Sequence, residues 1–190
     1  MYEAEADPYC YPGTTVLINR LGLHTRKQLE AFESEITAQR ASEPLPNGRL
    51  SYAHYRAIHR HLFQDVYSWA GRVRTTRIAK QGSAFCYPEH IDREMRKPFS
   101  ELSRQHYFRG LNADAFATQA AHFIAELNAI HPFREGNGRT QLSFLAVFAE
   151  RAGHPLTLTR LNPEAMLQAM VRSFSGRERP LKALIKRLVR

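Results

Sequence analysis

The chain has no uninterrupted apolar run of the roughly 18 residues that a membrane-crossing helix needs, so no transmembrane segment is expected. Its first residues include Glu3, Glu5 and Asp7 and lack the basic and apolar regions of a signal peptide, which predicts a cytoplasmic protein. Cysteine is scarce. Cys10 and Cys86 are the only two, and their wide spacing makes no metal or redox pair, in keeping with a reducing compartment. Histidine is more plentiful, with nine residues, but scattered. His59 and His61 lie two apart on a helical stretch, face different directions and make a poor zinc pair. Repeats and low-complexity segments are absent. Acidic residues number 18 against 27 Lys and Arg, a formal charge of +9. Such an excess raises nucleic acid as a partner. The charge is spread, however, and only residues 177–190 are strongly enriched, so neither direct nucleic-acid binding nor membrane binding is expected; a solvated surface or an acidic protein partner suits it better.

What is present is helical rhythm. At 190 residues the chain suits one domain, 1–190, with a sizeable core. Thr25 is the predicted cap of a helix to about Arg40, with Leu29, Phe32 and Ile36 on one face. A loop follows at 41–48. Ser51 opens a second helix, where Tyr55, Ile58, Leu62, Val66 and Trp69 form a core stripe that Gly71 stops. Residues 72–87 break the rhythm. Val73, Thr75, Thr76 and Ile78 favour extended chain, a glycine turn follows, and the stretch reads as a β-hairpin. Asn112 caps a helix to Ile130. A further helix starts at Asn162-Pro163 and ends before Gly176. Leu181, Leu184, Ile185 and Leu188 mark an amphipathic closing helix. The fold class is mainly α, a helical bundle with a short hairpin.

Residues 131–139 read His-Pro-Phe-Arg-Glu-Gly-Asn-Gly-Arg, and the apolar run from Leu142 to Ala149 follows at once. That order predicts a loop leading into a buried central helix. Glycines on both sides of Asn137 permit positive φ, so successive N–H groups can converge on an anion. The helix start aims its unpaired N–H groups and positive dipole end at the same place. Glu135 suits a hard divalent cation such as Mg²⁺. Arg139, on the first turn, can fork onto phosphate oxygens. An unperturbed imidazole has a pKa of about 6.5, so a histidine such as His131 suits proton abstraction from a hydroxyl. Phe133 is read as a core anchor and Arg134 as a solvated side chain.

This string resembles the Fic family signature, His-x-Phe-x-(Asp/Glu)-Gly-Asn-Gly-Arg-x-x-Arg, and matches it through Arg139. Residues 7–13, Asp-Pro-Tyr-Cys-Tyr-Pro-Gly, and 65–71, Asp-Val-Tyr-Ser-Trp-Ala-Gly, are similar to small bacterial Fic toxins. The resemblance implies a Fic fold and transfer of AMP from ATP to a hydroxyl of a target protein. It makes His131 the base and Glu135 the ligand of a Mg²⁺ that bridges the α- and β-phosphates. Gly136, Asn137, Gly138 and Arg139 then hold phosphate oxygens. The hairpin, about 72–87, becomes a flap over the nucleotide that registers the target by strand pairing. Lys80, Gln81 and Gly82 fall near its tip, toward phosphate, with Phe85 toward the adenine.

The sequence departs from the family pattern at Leu142, where the second arginine belongs. The loss removes one charge-assisted contact, worth about 1.5–3 kcal/mol. Three expectations follow. ATP is poorly oriented and transfer slow; or Arg74, Arg77 or Lys80 substitutes; or the nucleotide or the transferred group is a different one. A catalytically dead nucleotide- or nucleic-acid-binding module stands as the alternative to an enzyme. The inhibitory pattern of the family, Ser/Thr-x-x-x-Glu-Gly/Asn, occurs nowhere in the sequence. The resemblance then implies a separate small acidic antitoxin that supplies the inhibitory helix, with DNA gyrase or topoisomerase IV as plausible targets.

Overall fold

A computed structural model describes residues 7–80 and 83–190. Helix α1, Arg26–Ser42, starts where the Thr25 hydroxyl accepts the Gln28 N–H at 3.4 Å. Helix α2, Tyr52–Phe63, starts where Ser51 does the same for His54. These side chains satisfy N–H groups that a helix start leaves without partners. Helix α2 ends eight residues before the predicted stop at Gly71. The chain tightens instead into turns, with Val66 and Tyr67 both donating to the Phe63 carbonyl. The expected stripe nevertheless packs, because Tyr55, Ile58, Leu62 and Val66 are all buried.

Two short strands follow, β1 Ala79–Lys80 and β2 Ser83–Ala84, paired antiparallel. The Phe85 N–H donates to the Ile78 carbonyl at 3.2 Å and extends the pairing by one bond. Regular pairing is thus much shorter than the predicted span of 72–87. Helix α3, Ile91–Arg104, was not foreseen. It buries Ile91, Met95, Phe99 and Leu102, a helical spacing.

Helix α4, Ala113–Ile130, is capped by Asn112 as expected and ends in His131, whose φ of 52° is left-handed. Helix α5, Asn137–Ala152, runs between α2 and α4 and stops at Gly153. Helix α6, Pro163–Phe174, is capped by Asn162, and α7, Arg179–Leu188, buries Leu181, Leu184, Ile185 and Leu188 against α4 and α6. The centre is aromatic. Phe99, Phe123, Phe144 and Phe148 meet with ring centroids 5.4–6.5 Å apart. Each such ring contributes about 1.5–3 kcal/mol by burial, so α5 is held on several sides. Among the described residues no helix is long and apolar enough to cross a membrane.

Candidate active site

Gly136 caps α5 with φ 80° and no side-chain hydrogen bond. A Cβ there would stand 2.2 Å from the Phe63 ring, so both backbone and packing demand glycine. Gly138 differs from expectation: it is an ordinary helical residue, and only Gly136 of the pair has positive φ. Its value is spatial. A Cβ at Gly138 would meet nothing within 4 Å, because it faces a cavity of about 770 Å³. A ligand can therefore approach the helix backbone closely.

Asn137 is buried and ties the loop to itself. Its amide accepts the Phe133 N–H at 3.0 Å and donates to the Phe133 carbonyl at 2.8 Å. Phe133 is fully buried, stacked 3.7 Å from the His59 ring, as the anchor reading requires. His59 itself was missed as a loop organiser. Its Nδ1 accepts the Gly71 N–H and its Nε2 donates to the Glu135 carbonyl. Burial lowers its pKa to about 3, so the ring is neutral. Among the described residues no group of three or more His, Cys, Asp or Glu is placed to hold a metal.

His131 lines the cavity. Its Nδ1 lies 3.2 Å from the Asn128 carbonyl, and a carbonyl only accepts, so Nδ1 carries the proton of the neutral ring. Nε2 is then the basic nitrogen. The Phe85 ring stacks on the imidazole at 3.9 Å, and Phe85 also lines the cavity. Glu135 and Arg139 reach the same cavity, with 3.6 Å between carboxylate and guanidinium. Glu135 Oε1 also accepts the Gly136 N–H at 2.8 Å. A single half-exposed carboxylate fits Mg²⁺ that draws its other ligands from water and phosphate.

Arg139 is not an unengaged phosphate grip. It donates to the Glu33 carboxylate and to the Thr37 hydroxyl, and its guanidinium lies 4.7 Å over the Phe63 ring. Glu33 also accepts from the Tyr67 phenol. Burial first, and that carboxylate next, push the Tyr67 pKa upward. The signal for Glu33 was present in sequence. Leu29, Glu33 and Thr37, each four residues on, form the buried face of α1, whereas Phe32 and Ile36 are only partly buried.

Four basic residues require correction or placement. Arg134 is not solvated: it pairs with Asp7 at 2.7 Å and lines the cavity. Arg74 is 1% exposed and bonded to backbone carbonyls, so it is not available to replace a second arginine. Arg77 is exposed, lies 4.3 Å over the Tyr87 ring and lines the cavity. The Lys80 backbone belongs to β1; its side chain, Gln81 and Gly82 lie outside the described residues. Leu142 lines the cavity beside Leu145, Leu161, Met166 and Met170, so that end is apolar.

A family model described as Fic/DOC family matches residues 49–149. The chain belongs to the Fic/DOC family. It is 52% identical over 189 residues to the "Probable protein adenylyltransferase y4lH" of Sinorhizobium fredii, covering 99% of this chain and 98% of that protein. It is 37% identical to the protein adenylyltransferase VbhT of Bartonella schoenbuchensis, covering 98% of this chain and 40% of that one. Among solved structures, the BepC protein of Bartonella tribocorum with bound AMPPNP superimposes with a TM-score of 0.89 at 26% identity, covering 96% of both chains. The Fic signature thus heads α5 and opens on the cavity, and the fold is that of Fic domains.

Proposed function

We propose that this Fic domain, 1–190, transfers AMP from ATP to a hydroxyl of a protein target. The observation that carries this reading is the convergence of His131, Glu135 and the Asn137–Arg139 helix start on one cavity, with Gly136 packed against Phe63 behind them. In the reaction the target oxygen bonds to the α-phosphorus, the bond to the β-phosphate oxygen breaks, and pyrophosphate leaves. His131 Nε2 takes the hydroxyl proton. The N–H groups at the α5 start, with Gly138 leaving the backbone bare, hold phosphate oxygens at the positive end of the helix dipole. Arg139, oriented by Glu33 and Thr37, directs its remaining donors to the same oxygens. Glu135 would hold a Mg²⁺ ion, which would supply neutralisation of phosphate charge. Such transfer depends mainly on positioning and charge neutralisation, and the named relatives support it. The hairpin of β1 and β2 serves as the flap, with Phe85 toward the adenine; the expected phosphate contacts of Lys80, Gln81 and Gly82 fall outside the described residues.

On the same reading the protein works in the cytoplasm as the toxin of a pair. A small acidic antitoxin supplies the missing inhibitory helix, and a hydroxyl of DNA gyrase or topoisomerase IV accepts AMP. Intact-mass spectrometry of these targets after incubation with ATP and Mg²⁺ tests reaction and substrate together. An added AMP mass with wild type and none with His131→Ala is expected; no added mass on any target sinks the proposal. Copurification of a small acidic chain tests the pair.

A second reading is favoured by the Glu33–Arg139 pair and by Leu142. With one phosphate-facing arginine shared and the other missing, the domain transfers slowly or only binds nucleotide. Nucleotide binding by calorimetry without AMP incorporation would select it.

A further inference from the structure

The hairpin is too short to fix itself. Two residues in each strand make its regular pairing, and an isolated hairpin of any kind is marginal in water. Something else must set it against the catalytic loop. Arg74 sits between them, 1% exposed and with no carboxylate partner among the described residues. Its Nη1 donates to the Thr76 carbonyl at 2.6 Å, on the outgoing stem of the hairpin, and its Nη2 donates to Cys86 at 2.6 Å, on the returning stem. The same guanidinium donates from Nε to the His131 carbonyl at 2.8 Å and from Nη2 to Ile130 at 3.3 Å. The backbone N–H of Arg74 adds a bond to the Pro132 carbonyl at 3.0 Å.

We infer that Arg74 is a positioning residue that locks both hairpin stems and the backbone of His131 into one unit, so that the flap and the base move together or not at all.

The chemistry favours arginine over every other side chain. A guanidinium carries five N–H donors in a rigid planar fork and no acceptor. Four of its bonds here go to four separate carbonyls, and a charged donor strengthens each of them. A lysine ammonium projects its three donors from one point and cannot span both stems and the end of α4. The His131 carbonyl is one of the four, so Arg74 fixes the backbone from which the His131 ring projects. The Phe85–His131 stack is a second contact between flap and loop, and it depends on the same registration.

The inference rests on the transferase reading for its kinetic arm and is independent of it for its structural arm. The variants are Arg74→Lys and Arg74→Met, measured alongside wild type in the full chain. In Arg74→Lys, kcat for AMP transfer per folded molecule should fall on the order of thirtyfold, as a misplaced base does, while ATP affinity by calorimetry moves less than about threefold. Backbone amides at 76–80 and 83–86 should exchange on the order of tenfold faster, together with those of Ile130, His131 and Phe133, while α7 keeps its protection. Arg74→Met, if folded, should show both effects more strongly. A purely structural arginine would raise exchange everywhere, and kcat per folded molecule would hold; that result overturns the inference. Faster exchange in the hairpin alone, with the loop unchanged, overturns it equally. If wild type transfers no AMP, the transferase reading fails, and the exchange pattern alone decides the coupling.

Discussion

The catalytic loop and the hairpin face each other across the cavity, and they are built on opposite plans. The loop is over-determined. Asn137 closes it through Phe133, His59 holds the Glu135 carbonyl, and Phe63 leaves room only for glycine at 136. The hairpin has little regular structure of its own: a pairing of two residues per strand and one further backbone bond, with an arginine beneath it and ring contacts of Phe85 to His131 and Phe174. On the proposed function the difference separates two tasks. Groups that meet phosphate gain from being fixed in advance, since reorganisation at the moment of reaction is avoided. A segment that accepts different target backbones gains from pairing that costs little to adjust.

The comparison can be broken most sharply at His131. His131→Ala should lower labelled-AMP incorporation by about 10²–10⁴-fold and leave the melting temperature near that of wild type; retained transfer would remove the base from the mechanism. The next largest effect separates the two glycines. Gly136→Ala forces a Cβ into Phe63 and strains a φ of 80°, and should cost about 2–5 kcal/mol in chemical denaturation. Gly138→Ala should leave stability within about 0.5 kcal/mol, since its Cβ meets nothing, yet weaken ATP binding roughly tenfold by calorimetry. Equal behaviour of the two variants would mean that the cavity is not where nucleotide lies.

A pH series tests how rigidly the loop is held. His59 has its pKa lowered to about 3 by burial, against about 6.5 in an unfolded chain. Between those values the unfolded chain binds the extra proton, so stability is complete above about pH 6.5 and falls on acidification, by up to about 1.4 kcal/mol per pH unit. His59→Gln should flatten that slope relative to wild type in denaturation at pH 4.5 and 7; parallel curves would refute the assignment. The smallest expected change is at Leu142. Leu142→Arg should raise AMP transfer by several-fold up to about tenfold, below the value of a full charge-assisted contact because the new guanidinium enters an apolar stretch of the lining. No gain would show that the missing arginine does not limit the rate.

Much of this was legible in the chain. Helix starts at Thr25, Ser51, Asn112 and Asn162 were each named by a capping side chain, because capping is local. The signature placed His131, Glu135, Gly138 and Arg139 on one cavity for the same reason: they are close in sequence. The misses were long-range. Nothing local says that Asp7 meets Arg134, 127 residues away, or that Arg74 is buried under four carbonyls. Helix α2 was read too long because Val66 continues its apolar spacing, although turns carry it there. Helix α3 has a regular stripe, yet it is not legible in the sequence alone. Pro98 sits within it and weakens the local signal.

The bond from Glu33 to Arg139 joins residues 106 positions apart. No fragment that stops short of α5, and none that begins after α1, contains both ends of it. On the proposed function, Arg139 is oriented toward phosphate only in a chain that has already packed α1 onto α2, so transfer would report that the first helix has found its place.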